Sequence, residues 1–393
     1  MKNRLISIVG LGFLILILTV TGCTRRDNPA VPADPESGSV SQGTHQYFGL
    51  MPDSARWSQF QSRWIDAYRP GGYDDRLIGA RFPVLYLLPG FDGEPSFYFR
   101  FGNENYYRAS AIAAVADEMI AAGEIKPMII VMPDASIFYG GSFFNNNELS
   151  GKWENIASYE LVKYGDEISG LRTLVDKESR AISGHSSGGY GAVRVAMKYP
   201  DLFNSVSAID APLAFEHGDM DQLFSAYLAE SGITTQQQYL EADTTGFRTN
   251  KQIYKMLIYS MAASYSPSVY DNTTNFGKLQ IALPFDYQGN IVNDVWQLWL
   301  ANDLYSWLDN ATYRANLAGN HLYFEHSDHD LYMFNDQTEA FVEKLHDLNI
   351  DHQDAAFTKY PGADARSRTF LYDRIREILK FHDQYLKDRD GNF

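Results

Sequence analysis

One cysteine stands in 393 residues. A lone thiol excludes a disulfide framework, a Cys-based zinc site and a C-x-x-C redox pair. Positive charge is also scarce, with 33 Lys+Arg against 49 Asp+Glu and a net charge of −16. A surface this acidic repels phosphate backbones, so nucleic acid is not expected as a partner. The 9 His residues are scattered without metal-ligand spacing, and no metal or other cofactor is expected. No internal repeat is visible. What the chain has in quantity is aromatic side chains, 26 Tyr and 24 Phe. They supply a large core and favour aromatic clefts.

The position of the one cysteine is informative. Lys2 and Arg4 form a basic start, and Leu5 to Thr21 is then free of charge and rich in Leu and Ile. This is the n-region and h-region pattern of an export signal. It is shorter than the about 20 residues of a transmembrane helix. It ends in Val20-Thr21-Gly22-Cys23, which resembles the lipobox of bacterial lipoproteins. The resemblance implies cleavage before Cys23 and lipidation of its thiol, with acyl chains enough for stable anchoring. Residues 1–22 are then a lipoprotein signal peptide, and 23–44, rich in Pro, Ser, Gly and Asp, a flexible tether. The expected location is the cell envelope, lipid-anchored on the periplasmic side or at the outer surface of the outer membrane.

From residue 45 the pattern is that of a folded domain. Phe82-Pro-Val-Leu-Tyr-Leu-Leu88 and Pro127-Met-Ile-Ile-Val-Met-Pro133 are short bounded apolar runs, the signature of strands buried on both faces. Helical spacing follows the first over 109–122. It recurs at 157–175 and at Tyr190 to Tyr199, with short strands at Ser179–Ser183 and Phe203–Ile209. Such alternation predicts a mostly parallel sheet flanked by helices. From about 213 to 315 no buried-strand run appears, which predicts a helical cap inserted above the sheet. Alternation resumes with a strand at His321–Glu325, a helix near Gln337–Leu348, a strand near Ala355–Tyr360 and a final helix from about Leu371 to Leu386.

Gly184-His185-Ser186-Ser187-Gly188 fits the nucleophile-elbow pattern G-x-S-x-G. It lies in the required context, a strand before it and a small-residue helix after it. Ser186 must take a strained backbone conformation at the strand tip, and the flanking glycines leave room for it. The following helix aims its N-terminal N–H groups at a developing oxyanion. Leu88-Pro89-Gly90-Phe91 leaves the first buried strand at the same sheet edge. The Phe91 and Ser187 N–H groups are therefore the candidate oxyanion donors.

The chain resembles the Putative esterase family of α/β-hydrolases, which includes esterase D, feruloyl and other carbohydrate esterases and mycolyltransferases. The matching stretches are Tyr68-Arg-Pro-Gly-Gly-Tyr73, Val84 to Gly90, Tyr139-Gly-Gly-Ser-Phe-Phe144, Gly151-Lys-Trp153, Ser179 to Ala192, and Leu283-Pro-Phe-Asp286 leading to Trp296 and Trp299. They cover about residues 65 to 385. The resemblance implies one α/β-hydrolase domain over 45–393. Pro89 stands where the family usually has His, and Ser187 where it often has Met; neither change removes a backbone donor.

The resemblance also implies an acid after the next-to-last strand, which is Asp330, with Asp328 as the alternative. It implies a histidine in a Tyr-x-Gly-x-His stretch after the last strand. Here that stretch is Tyr360-Pro-Gly-Ala-Asp364, and an aspartate cannot replace an imidazole base at neutral pH. Loss of the base removes nearly all triad catalysis. Relocated-base candidates are His329, His326 and His217, each after a strand C-terminus, the active-site edge of such sheets. His352 starts the last strand, roughly 26 Å from its catalytic end. His346 and His382 fall on flanking helices, and His185 is expected to point into the sheet.

Two functions follow. One is a serine carboxylic ester hydrolase or acyltransferase acting on a carbohydrate-linked ester. The other is a surface lipoprotein that keeps the fold but has lost catalysis and binds a ligand. The aromatics of 138–153 and the cap tryptophans are expected to stack on sugar in either case. For the anchor, Cys23→Ala is expected to abolish incorporation of labelled fatty acid and release the protein from membranes. A variant that stays in the membrane fraction would contradict the lipobox reading.

Overall fold

Alternation within the strands decides how the sheet is covered. In β3 (Val84–Leu88) every residue is buried. Val84, Tyr86 and Leu88 enter one apolar cluster, Leu85 and Leu87 another on the opposite face. β4 (Ile129–Pro133) divides the same way, Ile129 and Val131 against Ile130 and Met132. A strand buried on both faces reads as a continuous apolar run.

The structure is a computed structural model. It describes residues 44–49, 64–73, 80–91, 110–168, 170–242, 252–268, 280–327, 330, 332–357, 368–388 and 391, for some of them the backbone alone. All lie in the second of two compact units, Val40–Phe393. The expected signal peptide, Cys23 and most of the tether lie outside the described residues, as do Asp328, His329 and Asp364. Among the described residues no helix is long and apolar enough to cross a membrane.

The remaining strands of the main sheet are β1 (Thr44–Gly49), β2 (Trp64–Arg69), β5 (Arg180–His185), β6 (Ser205–Ile209), β7 (His321–Ser327) and β8 (Gln353–Phe357). Their order is β1-β2-β4-β3-β5-β6-β7-β8. β1 and β2, which the sequence pattern did not single out, join antiparallel at one edge. From β4 to β8 all neighbours are parallel. Strand C-termini therefore share one rim, where β3, β5, β6 and β7 end side by side.

Helices α1 (Ser110–Ala122) and α2 (Ser187–Lys198) follow β3 and β5. The expected helix at 157–175 is instead an irregular stretch over 153–168, broken where Ser158 leaves helical geometry at φ −95°, ψ −113°. Among the described residues the insertion after β6 is largely helical. Its long members are α3 (Met220–Ser231), α4 (Ile253–Tyr265), α5 (Asn293–Leu300) and α6 (Ala311–Ala318). α6 packs on α2, with Asn316 donating to the Met197 carbonyl at 2.8 Å, so the insertion's end belongs to the flanking layer. α7 (Asn335–Asp347) and α8 (Arg368–Tyr385) complete the chain. α8 and α1 cover the same sheet face, through Ile375, Leu379, Ile112, Val115 and Met119.

A buried guanidinium ties α2 to its surroundings. Arg194 donates to Glu154 at 2.7 Å, to Asn145 at 3.0 Å and to Tyr190 at 3.1 Å, and lies 4.7 Å from the Trp307 ring centroid. A buried imidazole does the same for α8. His382 is bonded to Ser205 at 2.8 Å and Ser207 at 2.9 Å on β6. Burial pushes it down to about 3. Only the neutral ring fits there. A depressed basic group stabilises the fold fully above the unfolded value of 6.5, and that stability is lost as pH falls toward the folded value. Between pH 7 and pH 5 the wild type is expected to lose about 2 kcal/mol more unfolding free energy than His382→Gln, measured by urea titration. Equal losses would contradict the buried neutral ring.

Candidate active site

The site begins with a contact that only glycine allows. A Cβ on Gly188 would come within 2.1 Å of the Leu88 carbonyl oxygen, and one on Gly184 within 2.2 Å of the Gly188 carbonyl carbon. Without them, the end of β5, the start of α2 and the end of β3 meet backbone to backbone. Ser186 sits in that corner at φ 55°, ψ −124°, a conformation costing about 1–3 kcal/mol for a residue with a side chain. It is held by its N–H, which donates to the Ile209 carbonyl at 2.8 Å, and by its carbonyl, which accepts from Tyr190 N–H at 3.1 Å. Ser186 is 1% exposed, and its hydroxyl has no hydrogen-bond partner among the described residues. Ser187 opens α2, so its N–H is one of the helix's unbonded first-turn donors.

Phe91 is seated by the other glycine pair. A Cβ on Gly141 would fall 2.1 Å from the Phe91 carbonyl oxygen, and one on Gly140 2.7 Å from its ring. The Gly140–Gly141 strand thus receives the loop leaving β3. A Cβ on Gly90 would touch His185 Nδ1 at 3.4 Å and Ser186 Cβ at 3.5 Å. Imidazole and serine therefore flank the same glycine.

The acids lie on the far side of that imidazole. His185, Asp210 and Asp330 each place one nitrogen or carboxylate oxygen within 4.8 Å of the others. Asp330 accepts from Phe334 N–H at 2.8 Å, which fixes it at the start of α7. Asp210 follows β6 at φ 41°, and accepts from Ser327 N–H at 2.8 Å and from Arg374 at 2.7 Å. Arg374 also donates to buried Glu325. Burial pushes the Asp210 carboxyl up. Arg374, His185 and the hydrogen bonds from Arg374 and Ser327 outweigh this and hold it below the usual carboxylate range. Arg374 already supplies a positive charge to Asp210, which disfavours a metal ion here and suits the trio to proton chemistry.

A strained, buried serine hydroxyl at a helix N-terminus, with carboxylates near an imidazole beside it, is an arrangement suited to acyl transfer. Residues 61–252 match the family described as Putative esterase. This stretch, just under half of the chain, is similar to that family. Two proteins of Mycobacterium tuberculosis, Esterase Rv1288 and Esterase MT1326, are each 31% identical over 144 residues, covering 35% of this chain and 27% of theirs. The match thus spans about a quarter of the length of these curated relatives. A ferulic acid esterase structure aligns with TM-score 0.56 at 16% identity over 88% of this chain and 99% of its own. An S-formylglutathione hydrolase from Agrobacterium tumefaciens aligns with TM-score 0.52 at 16% identity over 89% and 98%. At such identity these two likenesses establish the α/β-hydrolase fold.

Ser186, Ser187 and Phe91 come to one corner, with Asp330 beyond His185. His217 and His326 are placed elsewhere. His217 is exposed, packed at a tilt on Tyr305 with centroids 4.2 Å apart. His326 alternates with Glu325 and Ser327, which face Arg374 and Asp210, so it points to the opposite, α7-covered face. Two expectations are corrected. His185 does not point into the sheet: as the last residue of β5 it clears the strand end, its side chain 23% exposed with Nε2 3.9 Å from Asp210. Most of the aromatics of 138–153 and of the cap tryptophans are not free to stack on a ligand, Phe138 and Trp307 alone among them being half-buried. Phe143, Phe144, Trp153 and Trp299 are fully buried, and the indole N–H groups of the two tryptophans are bonded to Ser150 and Ser266. Packing the cap on the sheet consumed them.

Asp210, Glu325 and Arg374 escaped the sequence reading. The available signal was an acid directly after the strand next to the elbow strand. Arg374→Met is expected to cost roughly 3–5 kcal/mol of unfolding free energy, because two buried carboxylates lose their cation. A urea-unfolding difference under about 1 kcal/mol would mean that the pair is not buried as described.

Proposed function

We propose that this chain is a serine carboxylic ester hydrolase or acyltransferase. Ser186 is the nucleophile, the Phe91 and Ser187 N–H groups are the oxyanion donors, and Asp330 is the orienting acid. The observation that carries this reading is the Ser186 conformation: φ 55°, ψ −124° at a helix N-terminus, strain that a plain βα turn has no use for. Attack by Oγ on an ester carbonyl would place the oxyanion between the two N–H groups, and collapse would expel the alcohol and leave an acyl-serine for water or a second alcohol. The base in this reading is His185, acting across Gly90 through a water, or His329, which precedes Asp330 in the chain.

The substrate class we propose is a carbohydrate-linked ester. The support is the family resemblance, which spans feruloyl and other carbohydrate esterases, together with the ferulic acid esterase among the structural neighbours. Ring stacking adds little to it, since most of the expected rings are buried. We place the protein at the cell envelope, anchored through Cys23 as the Val-Thr-Gly-Cys ending suggests. No nucleic-acid partner is part of the proposal.

A second reading, a ligand-binding lipoprotein without catalysis, is favoured by two observations. Ser186 Oγ has no hydrogen-bond partner among the described residues, and Asp364 stands where the family has its base. Hydrolysis of a small activated ester separates the two. If the chain is an enzyme, the wild type turns over, Ser186→Ala abolishes turnover, and Asp364→His adds little. If it is a binder, turnover in the wild type does not depend on Ser186, and Asp364→His creates Ser186-dependent turnover with a gain of several orders of magnitude, roughly what losing the base costs elsewhere. That second outcome overturns the first reading.

A further inference from the structure

The rim of the sheet opposite Ser186 carries a second cluster. β8 runs parallel to β5, so its first residues lie at the rim where β5 begins. There His346, His352 and Asp354 bring one nitrogen or carboxylate oxygen each within 4.8 Å of one another. His346 sits in the last turn of α7. The chain then reverses through Asn349 at φ 53°, with Asn349 N–H bonded to the His346 carbonyl at 3.0 Å and Ile350 N–H to the Leu345 carbonyl at 3.0 Å. This fixed turn brings the two imidazoles to a centroid separation of 4.4 Å. His352 and Asp354 are two apart entering an extended strand and so share a side.

The state of His352 is the second observation. Its side chain is only 2% exposed, and Nδ1 lies 2.7 Å from the Ile350 carbonyl. A carbonyl only accepts, so Nδ1 carries a proton, and in the neutral ring Nε2 presents a lone pair. That Nε2 is buried and has no hydrogen-bond partner among the described residues. It faces Asp354 Oδ1 at 3.9 Å, while His346 Nε2 lies 3.7 Å from the same oxygen. A ring nitrogen left bare while the other donates to a carbonyl is how metal-ligating histidines are oriented. Ligand atoms around a tetrahedral zinc at about 2.0–2.1 Å stand a few tenths of an ångström closer together than the two nitrogens stand from Asp354 Oδ1 here. His346 and Asp354 are 62% and 39% exposed, so small side-chain movements close the gap and a fourth position faces solvent.

The geometry points to a divalent transition-metal site at His346, His352 and Asp354, of the class that takes Zn²⁺, Co²⁺ or Ni²⁺. Two imidazole nitrogens disfavour Mg²⁺ and Ca²⁺, which prefer all-oxygen sites. The site departs from the expectation that the histidines lack ligand geometry. It lies away from the esterase rim, so its role is to staple the end of α7 to the edge strand β8 rather than to activate substrate water.

The test uses the full untagged chain at about pH 7.5, where imidazole is neutral. Co²⁺ is titrated by visible absorption and Zn²⁺ by calorimetry. One equivalent is expected to bind, with a Tm that rises with free Zn²⁺. His346→Ala, at an exposed residue, and Asp354→Asn are expected to weaken binding by more than the about 10–100-fold that loss of an outer-shell partner costs. Ester turnover of these variants stays at the wild-type value. Asp330→Asn is expected to leave the affinity unchanged. The inference is overturned if the wild type binds no metal, if His346→Ala and Asp354→Asn bind as the wild type does, or if Asp330→Asn is the variant that loses the ion.

Discussion

Everything at the candidate site depends on three backbones meeting where no side chain intervenes. The end of β5, the first turn of α2 and the end of β3 touch at Gly184, Gly188 and Leu88, at separations a Cβ would make impossible. That contact forces Ser186 into its strained corner, sets Ser187 at the head of α2, and brings the loop carrying Phe91 alongside. The helix itself begins Ser-Gly-Gly-Tyr-Gly, a poor helix former. Its stability comes from packing: Tyr190, Ala192, Val193, Val195 and Ala196 are all buried, and Arg194 ties it to Glu154 and Asn145.

Electrostatics add a second layer of constraint. Asp210 and Glu325 are both fully buried, and one guanidinium, Arg374 from the last helix, serves both. The same Asp210 carboxylate holds Ser327 N–H and faces His185. The ends of β6 and β7 and the final helix are thereby locked together just behind the nucleophile. Buried charges of this kind contribute little net stability when paired and cost much when one partner is removed. They specify position, which the site needs: Asp330 and His185 are useful only if the neighbouring strand ends do not shift.

How much of this was legible follows from the range of each interaction. The elbow was readable because it is local: two glycines, a serine, a strand before and a helix after. β3, β4, β5, β6 and β7 were readable from bounded apolar runs or from strand–helix alternation, with ends shifted by one to two residues. β1 and β2 carry no such run, since they close an edge of the sheet. Arg374 lies 164 residues from Asp210, and no periodicity links them. The aromatic-rich loop was misread because composition tells that rings are present, not whether the cap covers them. His346, His352 and Asp354 follow no familiar ligand spacing. Only the turn at Asn349 brings them together.

The central claim is that Ser186 is an activatable nucleophile held in a working elbow. Peptide mapping after exposure to a fluorophosphonate, across about pH 6 to 9, addresses it directly, because the reagent needs the serine, the oxyanion donors and a proton acceptor acting together. The account predicts a single adduct, on the peptide carrying Ser186, that disappears in Ser186→Ala. A folded protein that takes up no label at any pH in that range, or takes it up on another serine, would contradict it.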